Sequence, residues 1–295
     1  MSKVLCVGAA VVDFVFHLPN LPSKAEKYGT EHAETVGGGC AANAAVAIAR
    51  LGGQALLGAR LGNDAIGELV VSGVEAEGVD VSNVTRTTGA RSSFSSVYID
   101  QNGERQIVNF RGEGLILETK WFAEIPNLDA VLVDTRRFSA AVDALKLARK
   151  LGIPGVLDGE APVDVALLNY ASHAAFSMQG LRDLKPDREP ETALLELTEE
   201  FGCWICVTDG ENGVWYLHDR VIRHCPAFTV KSVDTLGAGD IWHGAFALSL
   251  AQGKAEKEAI YYANAAAALK CTRIGGRNGA PNRQDTEKFL KENTV

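Results

Sequence analysis

The 295 residues carry 46% hydrophobic and 22% charged side chains, the balance of an ordinary globular chain with ample apolar material for a core. A net charge of -8 excludes a general nucleic-acid face, which needs basic surface; an anionic ligand would need a local basic cluster. No apolar run approaches the ~20 residues needed to cross a bilayer, and Met1–Gly8 lacks the charged-then-apolar layout of a secretory signal, so the expected location is cytoplasmic.

In chain order, Val4–Val12 reads as a first buried strand that delivers Asp13 at its carboxyl end, where ligands of open α/β sheets collect. A carboxylate there can accept two hydroxyl hydrogen bonds. Phe14–Thr35, with Leu18-Pro19 and Leu21-Pro22, holds no good helix. Gly37-Gly38-Gly39-Cys40-Ala41-Ala42-Asn43 then runs into an alanine-rich helix over Ala41–Leu51. Its glycines permit close backbone approach, and Asn43 offers both donor and acceptor. Strand Ala55–Ala59 and helix Ala65–Glu77 follow. Arg91–Arg111 alternates about Gln101-Asn102-Gly103, a strong hairpin signal. Segments 14–35 and 91–111 are expected to form a small β-strand lid over the site.

Strands Ala130–Asp134, Gly155–Asp158, Ala174–Ser177, Trp204–Thr208 and Val214–Leu217 come next, interleaved with helices Ala140–Leu151 and Glu191–Phe201; helices Asp240–Gln252 and Lys254–Leu269 close the series. Glycines stop several helices, as at Leu51-Gly52, Leu151-Gly152 and Gln252-Gly253. The alternation predicts an α/β fold: a mostly parallel central sheet with helices on both faces, as one domain over 1–295. Cys203 and Cys206 have metal-like spacing, but strand geometry sends their thiols to opposite faces, so buried free thiols are expected.

The most informative stretch is Asp234-Thr235-Leu236-Gly237-Ala238-Gly239-Asp240, directly before a helical run. A helix start offers unpaired N–H donors and the positive end of the dipole, which together suit a phosphate. Gly237 and Gly239 let a phosphoryl group reach the backbone. Binding phosphate needs no acid, so Asp240 is expected to take a proton: phosphoryl transfer to a hydroxyl.

This stretch resembles the C-terminal motif of the ribokinase-like (PfkB) carbohydrate kinases, and the likeness runs from Val4 to Pro281. It implies that Asp240 is the catalytic base and that the N–H groups of Gly237, Ala238 and Gly239 hold the transferring group. It implies a sugar site at Asp13, Gly38, Gly39 and Asn43, the last three matching the family's Gly-Gly-x-x-x-Asn element. For ATP it implies Thr208 and Gly210, in a turn that closes with Gly213 and that a hairpin alone would also explain, and Asn264 beside the adenine. Some relatives bind a monovalent cation (K+) at the positions of Asp234 and the Leu236 carbonyl. The family's Asn-x-x-Glu, which helps organise Mg2+, is replaced by Ser177-Met178-Gln179-Gly180; Asp158 and Glu160 are the substitutes at hand.

Glu26-Lys27-Tyr28, Val108-Asn109-Phe110, Asp134-Thr135-Arg136 and Lys270-Cys271-Thr272-Arg273 with Gly275-Gly276-Arg277 are similar to sulfofructose kinases of that family. This implies 6-deoxy-6-sulfofructose, phosphorylated on its C1 hydroxyl, with Lys27, Asn109 and Arg136 on the sulfonate. Fructose and fructose 6-phosphate are the alternatives, and a sugar-binding regulator without turnover is the non-enzymatic one. An open lid edge leads us to expect a homodimer paired through the lids.

Overall fold

Strand β1 (Lys3–Val7) is buried from Val4 onward, as a strand covered on both faces must be. It is followed by β2 (Val11–His17), β3 (His32–Gly38), α1 (Cys40–Arg50), β4 (Gln54–Gly58), β5 (Arg60–Gly62), α2 (Ala65–Glu75), β6 (Thr85–Thr87), β7 (Phe94–Ile99) and β8 (Arg105–Phe110). The second half holds β9 (Ala130–Val133), α3 (Phe138–Leu151), β10 (Gly155–Gly159), β11 (His173–Ser177), α4 (Met178–Leu184), α5 (Pro190–Phe201), β12 (Trp204–Thr208), β13 (Val214–His218), β14 (Val221–Cys225), α6 (Ala238–Ala251), α7 (Glu256–Cys271) and α8 (Arg283–Asn293). The computed structural model describes residues 1–293.

The central sheet has the order β14-β13-β12-β11-β10-β9-β1-β4. It is parallel from β12 to β4, and β13 and β14 extend it antiparallel. Side chains alternate across it into two cores. Val4, Cys6 and Cys206 meet α1, α6 and α7 on one face. Leu5, Val7, Val207 and Cys203 meet α3 and α5 on the other. The two thiols of the 203–206 pair therefore part company, and all six cysteines are unpaired.

A second sheet, β3-β2-β7-β8, carries both irregular segments. Its hairpin turns where Asn102-Gly103 predicts, Gly103 having φ +81°. One expectation needs correction. The first strand does not run through to Asp13: it ends at Val7, and the chain turns at Gly8, whose φ is +156° and where a Cβ would overlap the Asp134 carboxylate. Asp13 therefore stands on β2 in the second sheet, opposite Val36 of β3 and beside Ser95 of β7. The short elements β5, β6, β14, α4 and α8 escape the periodicity because three to seven residues, or a polar helix, leave too little apolar pattern.

Candidate active site

Helix α6 begins at Ala238, one turn earlier than its apolar pattern. Gly237 caps it with φ +76°, a left-handed conformation that glycine adopts without strain. Ala238 donates its N–H to the Thr235 carbonyl at 3.1 Å. The expected three-donor cradle thus reduces to Gly237 and Gly239, whose N–H groups have no protein acceptor among the described residues. A Cβ on Gly239 would meet nothing within 4 Å; this turn faces open space.

Asp240 follows in the first helical turn, and Asn43 of α1 donates to its Oδ2 at 2.7 Å. Burial, with the Asp158 charge beside it, pushes the Asp240 carboxyl up to about 7 against the opposing Asn43 bond. Burial likewise drives Asp158 well upward, with Glu160 and Asp134 adding to it. His243, one helical turn past Asp240, stands with Nδ1 2.8 Å from the Gly239 carbonyl and Nε2 3.0 Å from that of Ala175. Burial holds it below its usual range, although both carbonyls favour the charged form. It ties the cradle to β11.

Asp240 lies in a cavity of about 310 Å³ together with Asp13, Gly38, Gly39, Asn43 and Gly237. The glycines are sterically required. A Cβ at Gly38 would press on Asp13 Oδ2, and one at Gly39, with φ +92°, would strike the Ala9 carbonyl. Burial raises the Asp13 carboxyl, while Ser95 and Arg277 oppose the shift. Asn43 Oδ1 is buried without a partner, an acceptor that a ligand hydroxyl would satisfy.

A second cavity, of about 650 Å³, holds Gly210, Gly213, Ala238, Trp242 and Asn264. Both cavities reach Thr208 and Gly239, so a ligand in each would meet at the start of α6. The amide of Asn264 is spent within the protein: its oxygen accepts from Trp242 at 2.8 Å, and its nitrogen donates to the Pro226 carbonyl at 3.1 Å. Gly213, with φ +95°, is required by the fold, since a Cβ would strike the Cys225 carbonyl.

The chain belongs to the pfkB family of carbohydrate kinases. That family's model matches residues 1–283. A ribokinase of Bacillus subtilis is 28% identical over 98% of this chain and 100% of its own length. A probable fructokinase-5 of Arabidopsis thaliana is also 28% identical, over 98% of this chain and 97% of its own. Among solved structures, a putative ribokinase from Agrobacterium tumefaciens superposes with TM-score 0.89 and 37% identity, covering 99% of this chain and 98% of that one. The protein is thus an ATP-dependent sugar kinase of this family with a ribokinase-like fold.

Four expected residues, Lys27, Asn109, Arg136 and Asp234, line neither cavity. Arg136 bonds to a residue that lines the first: its Nη2 lies 2.7 Å from Glu160 Oε2, and Nη1 donates to the Ala161 carbonyl. Asn109 donates to Ser95 Oγ at 3.0 Å, one strand from Asp13. Lys27 is exposed in the 18–31 connection. Of the expected cation position at Asp234 and the Leu236 carbonyl, Asp234 is met by a lysine, Lys270, whose Nζ is 3.1 Å from its Oδ2. Sequence reasoning passed over His243, Cys40 and Asp134. The three-residue spacing from Asp240 on a helix would have flagged His243; nothing local marks the other two.

Proposed function

We propose that Asp240 is the base of this kinase and that the two cavities hold sugar and nucleotide. The observation that carries the reading is a buried carboxyl, raised to about 7 and held by Asn43, where the two cavities join. The sugar hydroxyl gives its proton to Asp240 as its oxygen bonds to the γ-phosphorus. The bridge to the β-phosphate breaks, and ADP leaves with the electron pair. Gly237 and Gly239 N–H groups face the charge that spreads over the transferring group, which is the larger catalytic term. Asp13, Asn43 and the Gly38–Gly39 backbone hold the sugar. The nucleotide lies along Thr208, Gly210 and Gly213, against the wall that Asn264 and Trp242 brace.

Magnesium, which ATP brings, neutralises triphosphate charge. The carboxylates of Asp158 and Glu160 are hard oxygen donors that suit it, and Asp158 stands with Asp240 and Cys40 in a cluster whose ligand atoms lie within 4.8 Å of one another.

For the substrate we favour a ketohexose with an anionic end, 6-deoxy-6-sulfofructose phosphorylated at C1, over fructose 6-phosphate. Arg136 at the rim, Asn109 near Asp13 and Lys27 on the connection between β2 and β3 are the groups to receive the anion. The ion pair of Arg136 with Glu160 favours a second reading, a neutral sugar such as fructose or ribose, because that cation is already matched. Mg-ATP assays on the sulfonated and plain sugars decide between them. Arg136→Ala is expected to lower kcat/KM for the sulfosugar about 10–100-fold more than for fructose, the worth of a hydrogen bond to a charged group. Equal losses remove the sulfonate assignment.

The reading includes one kinase domain closed by the second sheet as a lid, and a homodimer through those lids. Strand β8 is an edge whose Ile107 and Val108 are 58% and 61% exposed, which lid pairing would cover. Analytical ultracentrifugation at micromolar concentration is expected to show a dimer; a monomer throughout would withdraw this part.

A further inference from the structure

We propose that the ammonium of Lys270 is a built-in substitute for a monovalent cation beside the phosphate cradle, so that this kinase turns over without one. Lys270 lies in the last turn of α7 and is wholly buried. Its Nζ stands 2.9 Å from the Asp234 carbonyl oxygen, 3.1 Å from Asp234 Oδ2 and 3.2 Å from the Arg273 carbonyl oxygen. An ammonium has three donors and no acceptor; here three oxygens meet them. An oxygen cage around a single positive charge is what potassium or free ammonium would also seek. A free cation cannot share the Asp234 oxygens with Nζ, so the residues present do not fit the ion that the family resemblance implies at Asp234.

The pair organises more than itself. Asp234 Oδ1 accepts the Leu236 N–H at 2.9 Å, and Oδ2 accepts those of Gly275 and Gly276 at 3.0 and 3.1 Å. These bonds and the Lys270 charge hold the Asp234 carboxyl below its usual range against the cost of burial. Leu236, Gly237 and Gly276 all line the sugar cavity. One ammonium thus fixes, through one carboxylate, the turn leading into the cradle and the loop facing it. Arg105, arriving from β8, is the other cation near this carboxylate, 3.8 Å from Oδ1. A tethered charge is present at any salt composition, whereas a free ion must be bound first. Lys270 is a positioning residue; it touches neither cavity.

The inference rests on α6 being the phosphate cradle, and the test separates the two. Wild-type turnover is measured at fixed ionic strength in potassium, ammonium, sodium and a bulky organic cation, alongside Lys270→Met, which keeps the stem and removes the charge. Wild-type rates should agree within about twofold. The variant leaves Asp234 and the carbonyls unmatched, so its kcat/KM should fall at least about tenfold. Potassium or ammonium, which fit the vacated cage, should recover a large part of that loss, and lithium should not. Wild-type stimulation of several fold by potassium overturns the proposal, whether or not the variant folds. A folded variant that no cation rescues also overturns it, reducing Lys270 to a structural role. If no sugar is turned over in any salt, the cradle reading is what fails. Calorimetric ADP affinity, compared across the same salts, then carries the cation test.

Discussion

Asp240→Asn is expected to lower kcat by at least about 10²-fold, with the sugar affinity changing little. Asparagine keeps the shape and can still bond Asn43, but it cannot accept the hydroxyl proton. In the wild-type enzyme, kcat/KM should rise with pH and level off above about 7, because only the ionised carboxylate serves as base. The stability sign is the reverse. A carboxyl whose folded-state value is raised keeps its proton in the folded chain after the unfolded chain has lost it, so stability falls as pH climbs from about 4 to 7. The neutral variant escapes this cost and should melt higher than wild type at pH 8, with the gap closing near pH 4. An inactive protein that is more stable at alkaline pH would separate loss of the base from loss of the fold. Retained turnover would sink the assignment.

Gly180→Ala is expected to melt several degrees lower and to lose at least about tenfold in kcat/KM, although alanine is the better helix former by about 1 kcal/mol. Gly180 lies in the first turns of α4, where its N–H donates to the capping Ser177 Oγ at 3.0 Å. A Cβ there would run into the backbone carbonyl of Gly159. Backbone cannot rotate aside as a side chain can, so the end of β10 must shift, at about 1–3 kcal/mol or more. That strand end carries Asp158 and leads to Glu160, both of which line the first cavity. Gln179→Ala, next door but exposed, is the control and should change stability by no more than about 0.5 kcal/mol. A melting temperature raised or unmoved by Gly180→Ala would refute the close-approach argument. The same contact falls at the position where the family resemblance would place the glutamate of an Asn-x-x-Glu element. No side chain fits at 180 without a backbone shift, and the carboxylates that line the cavity are Asp13, Asp158, Glu160 and Asp240.

Several features of the molecule were written locally. The alternation of apolar runs and helical segments determined the α/β class and most parallel strands, since each is set by burial period within a few residues. The Asn102-Gly103 turn marked the second sheet. Gly237, Gly239 and Asp240 marked the start of α6, because a helix start is built from consecutive residues. Other features exist only when distant segments meet. Asp13 reaches the cavity from the second sheet because Gly8 turns the chain beneath Asp134, a contact across 126 positions. The bonds of Asn264 to Trp242 and Pro226, at the wall of the second cavity, come only from packing. The pairing of Arg136 with Glu160 and of Lys270 with Asp234 likewise has no local signal. A side chain's partners decide its charge and its freedom, and those partners are chosen by the packing of the whole chain.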